Sequence, residues 1–428
     1  MLTAEDSDRA RAPFIDRIGI FPPLAWGYVG LLLFMIGDGV EWGYLANYLE
    51  DRQFSKPSVA MVFTAYGLTA AVAAWLSGAL SDLWGPRRVM AAGLGAWVAF
   101  EVAFLLLGVA PNNYSMIFLF YALRGIGYPL FAFGFLVWIT AVTPPGRLGT
   151  AVGWFWFAFT GGFPTLGSFL ASYTLPRIGP YGSLWLSLGL VLVGGLIALV
   201  GVREPTGRRR LAPPGENPVA TLLSGVTIAW REPKIAIGCL VRIINTAPQF
   251  GFAVFLPIYF MRTIGFKEPE ALRLISLIFL SNIIWNLLFG VIGDRLGWRR
   301  TVALCGGVGS AISTLLLYYT PHLFGANFPM VGLAGAFYGA TLAGYVPLSA
   351  LMPSLTPEHK GAAMSMLNLG AGASVWVGPA IAGVFLPLVG VAGVMWIFAV
   401  LYLISAVLTL FLTLPAEVPD REPAGTHA

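Results

Sequence analysis

Charge is scarce in this chain. Asp, Glu, Lys and Arg make up 11% of its 428 residues, where a soluble domain carries about 25%. Mean hydropathy is +0.78. So few charges cannot cover a water-facing surface of this size, so the class is a polytopic membrane protein. Cysteine is scarcer still: Cys239 and Cys305, the only two, lie inside apolar runs, which excludes a disulfide framework. The three histidines, His322, His359 and His427, fall in polar turns or the tail, and no metal site with recognisable ligand spacing occurs. A G-x-x-x-x-G-K-[ST] phosphate loop is absent, which argues against ATP-driven work by this chain alone. Residues 1–23 carry Arg9, Arg11 and Arg17 but no apolar core segment, so no cleavable signal peptide is expected.

What the chain has instead is apolar length. A span needs about 20 mostly apolar residues. Twelve such runs are found, near 24–48, 58–81, 89–109, 114–141, 149–173, 181–202, 234–261, 270–293, 301–320, 328–352, 361–386 and 391–414. The fold class expected is an all-α membrane protein of twelve transmembrane helices. Arg52, Lys56, Arg177, Arg262, Lys267 and Arg273 would lie outside, and Arg124 and Arg242 within spans. The other 17 of the 25 basic residues would lie inside. The positive-inside rule then places both termini in the cytoplasm, in a cytoplasmic (inner) membrane. The net charge of +5 is thereby a topology signal, and no nucleic-acid partner is expected.

The polar stretch 203–233 contains "RRR" and "PPG". It separates a first six-helix bundle, 24–202, from a second, 234–414. Tails of 1–23 and 415–428 flank them, and a surface helix is expected near 217–230.

The two halves repeat. "GALSDLWGPRR" (78–88) and "GVIGDRLGWRR" (290–300) close spans two and eight. Gly78, Asp82, Gly85, Arg87 and Arg88 coincide with Gly290, Asp294, Gly297, Arg299 and Arg300, while Arg295 has Leu83 opposite it. "TPPGRLGTA" from Thr143 matches "TPEHKGAA" from Thr356. Two related halves imply a pseudo-two-fold arrangement with a site at the midplane between them.

These motifs resemble the signature of the major facilitator superfamily across the whole chain. "MIGDGVEWGYL", "YALRGIGYPLFAF", "AVGWFWFAF", "VRIINT" and "HKGAAMSMLNLGAG" are similar to the polyol permease branch, the ribitol and D-arabinitol transporters. The resemblance implies two pseudo-symmetric six-helix bundles and a conformational latch formed by the ten repeated residues and Arg295. It also implies proton-coupled uptake of a neutral, pentitol-like polyol by alternating access, with no resident cofactor and a monomeric chain in the lipid bilayer.

An ionised residue at the bilayer centre costs about 2.5–3.5 kcal/mol on insertion scales. Asp38, Glu41, Glu101, Arg124 and Arg242 lie there. Asp38 and Glu41, at i and i+3, share a helical face. It is expected to look toward Arg124, with a surplus carboxylate free to take the coupled proton; sodium coupling stays open. A purely structural ion pair is the plainer alternative. Glu101, without polar neighbours at helical spacing, is expected to be a protonated or locally paired acid rather than a site residue. Polar stripes supply the candidate substrate contacts: Tyr128 after Arg124, then Arg242, Asn245 and Gln249, then Asn282, Trp285 and Asn286, then Tyr338 and Tyr345. Trp154 and Asn368 complete the set. Amides, phenols and indoles suit a neutral, hydroxyl-rich ligand. An organic-acid carrier using Arg124 and Arg242, and a non-transporting sensor, remain alternatives. Trp26 and Tyr402 read as interfacial belts, and Gly153, Gly161, Gly162 and Gly167 as close-packing sites.

Overall fold

A computed structural model describes residues 18–42, 44–212, 223 and 227–414. The tails before 18 and after 414 lie outside the described residues. So does 213–226 apart from Leu223, and with it most of the surface helix expected at 217–230.

Among the described residues, nine helices are long and apolar enough to cross a membrane. Two of them each hold two spans. Pro145–Gly201 breaks at Gly179, with φ 70°, and Pro357–Leu410 breaks at Gly390, with φ 67°. That left-handed backbone is one only glycine adopts without strain. At the first break the chain doubles back, so that the Thr174 and Ser183 hydroxyls meet at 2.9 Å. Span one is the remaining crossing. It is broken into Ala25–Gly39 and Leu45–Asp51, so it falls short of an unbroken crossing helix. Twelve crossings in two sets of six result.

Small residues let the helices approach. A Cβ on Gly30 would stand 2.5 Å from the Gly194 carbonyl, and one on Gly37 2.8 Å from that of Ser187. Both bring span six onto span one. A Cβ on Gly162 would meet Met35, and one on Gly153 would meet the Asn286 carbonyl at 2.9 Å. These span-five glycines therefore serve close packing against spans one and eight. Trp26 is exposed, whereas Tyr402 is fully buried and its hydroxyl meets that of Tyr338 at 3.1 Å. The belt reading of Tyr402 is thereby corrected: a phenol can sit in an apolar core when its O–H finds a partner.

The halves meet at the end bearing the arginine-rich turns. Span two (Lys56–Trp84) packs on span eleven there, and span eight (Glu268–Leu296) packs on span five. A Cβ on Gly78 would lie 2.1 Å from the Gly361 carbonyl, and one on Gly290 2.6 Å from that of Gly149.

Candidate functional site

Inside the first half, a fully buried Arg124 lies on span four (Tyr114–Val142), just before Gly125. Its guanidinium forms an ion pair with Glu41 through Nη2, and Nη1 donates to Glu41 Oε2 at 2.6 Å. Nη1 also donates to Glu101 Oε2 at 2.6 Å. Tyr121 donates to Glu41 Oε1 at 2.8 Å. The rings of Tyr66, Trp97 and Tyr121 lie 4.6–5.4 Å from the Arg124 guanidinium carbon, close enough for cation–π attraction.

Two expectations change here. Asp38 does not bond to Arg124; its Oδ1 accepts from the Trp97 indole at 2.7 Å. The second acid on Arg124 is Glu101 instead. The reason is the break in span one. Glu41 lies past the end of Ala25–Gly39, in the turn before Leu45, so regular helical spacing no longer aligns it with Asp38. Glu101 had no neighbour on its own helix because its partner comes from another one.

The second half carries the other buried arginine. Arg242, on span seven (Pro233–Ile264), lies 4.2 Å from the Tyr345 ring and 4.7 Å from the Trp156 ring. Trp156 belongs to span five of the opposite half, so Arg242 stands between the halves. Its Nε and Nη1 are buried and have no hydrogen-bond partner, and neither ion pair among the described residues includes it. One turn on, Asn245 Oδ1 accepts from Ser405 at 2.6 Å, while its Nδ2 is buried without a partner. Arg242 and Asn245 thus present donors only.

Trp156 and Thr160 are one turn apart on span five. Asn286 Nδ2 donates to Thr160 Oγ1 at 2.9 Å across the halves and to Asn282 Oδ1 at 3.3 Å, leaving Asn286 Oδ1 as an orphan acceptor. Asn282 spends its own amide on the Gly339 carbonyl at 3.2 Å. Asn368 bridges the halves at 3.0 Å to Ser77.

The remaining candidates spread out. Tyr128 is half-buried among Tyr66, Phe159 and Phe163. Gln249 and Trp285 are half-buried, the latter against Phe289. Tyr338 turns away from the inter-half face and packs on Phe252, supporting Tyr402, which in turn donates to the Asn245 carbonyl at 3.4 Å. Trp154 donates to the Ile18 carbonyl at 2.8 Å, so it faces the entry segment. Trp156, two residues on, is the indole at the inter-half face. In "GWFWF" both tryptophans are plausible, and only packing decides which one looks inward.

The repeated motifs join the halves. Asp294 Oδ1 accepts from Gly149 N at 2.8 Å, and its Oδ2 from Thr150 N at 2.7 Å and Thr150 Oγ1 at 2.6 Å. The carboxylate sits at the start of span five, where orphan N–H groups and the helix dipole favour an anion. Trp298 adds a bond at 2.9 Å. In the other copy, Asp82 lies against Gly361 at the start of span eleven; a Cβ there would meet its carboxyl at 2.2 Å. Arg87 donates to the Val202 carbonyl at 3.2 Å and to Leu199, closing span six. Arg88, Arg295 and Arg300 are exposed and Arg299 is half-buried; Gly85 and Gly297 hold positive φ between the helices. Asp294→Asn is expected to weaken this contact by about 1–2 kcal/mol. Spin labels at the exposed Trp84 and Leu296 should then report a separated population raised roughly 5–30-fold by that energy.

The start of the middle loop straps the first motif. Leu211 N and Ala212 N donate to the Asp82 carbonyl at 3.0 and 3.1 Å. Trp138 donates to Glu204 Oε2 at 2.6 Å, and Thr206 N to Oε1 at 3.0 Å. Burial raises the Glu204 carboxyl, but the bonds from Trp138, Thr206 and Gly207 together outweigh it and hold the group below its ordinary value. A lowered folded value contributes stability above the ordinary carboxylate range, lost as pH falls through the folded value. Exchange of the Leu211 and Ala212 amides, corrected for intrinsic rates, is therefore expected to speed up on acidification, and Glu204→Gln to abolish that response.

The Major Facilitator Superfamily model matches residues 27–269 and 238–428. The α-ketoglutarate permease of Bacillus subtilis is 44% identical over 96% of this chain and 94% of its own. The D-arabinitol transporter of Klebsiella pneumoniae is 38% identical over 92% and 93%. Among solved structures, the human organic anion transporter MFSD10 superposes with a TM-score of 0.74 at 17% identity, covering 93% of this chain and all of its own; that likeness concerns the fold.

Proposed function

The chain belongs to the major facilitator superfamily, and from that premise we propose a proton-coupled carrier that imports a small, oxygen-rich organic acid by alternating access. It is a membrane transporter rather than an enzyme. The single observation behind the acid is Arg242. A buried cation without a counter-charge is costly, and here two of its guanidinium donors, Nε and Nη1, are free. A substrate carboxylate would supply both the charge and the acceptors, in the paired geometry that arginine favours. The orphan Nδ2 of Asn245 adds a donor, and the orphan Oδ1 of Asn286 would take a substrate hydroxyl. Arg124, spent on Glu41 and Glu101, is left to the coupling cluster instead of the substrate.

In this reading the arginine-rich end is cytoplasmic, in the inner membrane, with both termini on that side. The latch contacts hold that end shut while substrate enters from outside. Proton uptake in the Arg124 cluster then loosens the first half, and the halves rock. The D-arabinitol relative and the amide pair Asn282–Asn286 favour a second reading, a neutral polyol. Uptake into proteoliposomes discriminates: 2-oxoglutarate should be accumulated with an inward proton gradient and should outcompete ribitol and D-arabinitol. Accumulation of the polyols alone would leave only the second reading.

A further inference from the structure

We propose that Glu101, on span three (Pro86–Val109), is the carboxylate that takes up and returns the coupled proton, with Arg124 shared between it and Glu41. The inference rests on the proton-coupled reading above and says where that proton sits.

One nitrogen, Arg124 Nη1, stands 2.6 Å from a carboxylate oxygen of each acid. The two acids are unequally held. Glu41 accepts from both terminal nitrogens of Arg124 and from the Tyr121 hydroxyl. Glu101 accepts one bond, and its Oε1 is fully buried with no partner. Asp38 also accepts one bond and has an orphan Oδ2, but it does not touch Arg124, so its charge does not decide which helix Arg124 is tied to.

The groups facing Glu101 are few. Span one brings Asp38 and Glu41, with Tyr44 beyond them; span four brings Arg124 and Tyr121; span two brings Tyr66 beside Arg124. With all three acids ionised, one arginine faces three carboxylates. Such excess buried charge costs several kcal/mol, and the cluster relieves it most simply at an acid with a single donor, Glu101 or Asp38, of which only Glu101 is tied to Arg124. A proton from water forms an O–H bond on Glu101 Oε1, leaving Oε2 as an acceptor and Arg124 wholly to Glu41. When that proton leaves, Glu101 is again an anion and draws Arg124 back toward span three.

The tie can move at its span-one end, because Glu41 lies in the break of that span, off continuous helix. Proton occupancy of Glu101 therefore sets how tightly spans one, three and four are bound together.

The test uses the full chain in proteoliposomes, with 2-oxoglutarate as probe and D-arabinitol where the acid is not carried. Glu101→Gln mimics the protonated acid. Counterflow, which needs no net proton movement, should stay within about twofold of wild type, while accumulation driven by a pH gradient should fall at least tenfold. Glu101→Asp should restore accumulation with a displaced pH profile, and Asp38→Asn should keep it. A Glu101→Gln protein that accumulates like wild type overturns the proposal, as does one that loses counterflow as well. Where Glu101→Gln does not fold, Glu101→Asp decides: an unchanged pH profile overturns the assignment. A wild-type protein that exchanges probe but ignores the pH gradient removes the proton-coupled reading itself, whatever Glu101 does.

Discussion

Arg242→Lys is expected to weaken the apparent affinity for 2-oxoglutarate by roughly 100-fold. Two charge-assisted bonds to one carboxylate contribute about 3 kcal/mol or more together, and about 1.4 kcal/mol is tenfold in affinity. Lysine keeps the charge but not the planar fork, so it cannot replace both bonds. The stability effect should run the other way. Arg242→Leu removes a buried cation that has no carboxylate beside it, which costs about 2.5–3.5 kcal/mol on insertion scales. The leucine protein should therefore have an unchanged or higher Tm in detergent while transport of the acid is lost. A fall in Tm by many degrees would mean that Arg242 is a structural clamp.

Arg124 should behave in the opposite way. It is paired twice, to Glu41 and to Glu101, with no side-chain exposure. Arg124→Leu leaves two carboxylates buried with no cation, and removing one partner of such a pair costs about 3–5 kcal/mol. A low yield of folded protein and a large drop in Tm are expected. The triple change Arg124→Leu, Glu41→Gln, Glu101→Gln should recover most of the stability, because both carboxylates that Arg124 paired with are then neutral, but not gradient-driven uptake. If Arg124→Leu alone is as stable as wild type, the cluster is not an ion-pair network. The two arginines, alike in sequence setting, are thus expected to differ in sign: removing Arg242 should not cost stability, whereas removing Arg124 should.

The sequence makes the large architecture legible because it is written in local patterns. Apolar run length marks the spans, and the 212-residue repeat from Gly78 to Gly290 reveals the halves. The contact of Asp294 could be read as well, since it sits where a helix start offers free N–H groups, and such ends follow from chain position. The Arg124 cluster was legible in Glu41 and Arg124 but not in Glu101. Helical spacing reports neighbours on one helix only, so Glu101 looked solitary although its partner lies 2.6 Å away on span four. The break after Gly39 had the same effect, moving Glu41 off the face it would share with Asp38. Trp156 was passed over for Trp154 because an aromatic run such as "GWFWF" has no polar phase to fix its inward face. What separated Arg242 from Arg124, finally, was the absence of an acid beside it, a property of the packed molecule rather than of its own helix.

The most direct measurement of the account is counterflow in proteoliposomes preloaded with unlabelled 2-oxoglutarate, ribitol or D-arabinitol, compared between wild type and Arg242→Lys. The account predicts that labelled 2-oxoglutarate enters wild-type vesicles against preloaded acid, and that the lysine protein loses this exchange. Exchange of the polyols alone, equal in both proteins, would contradict it.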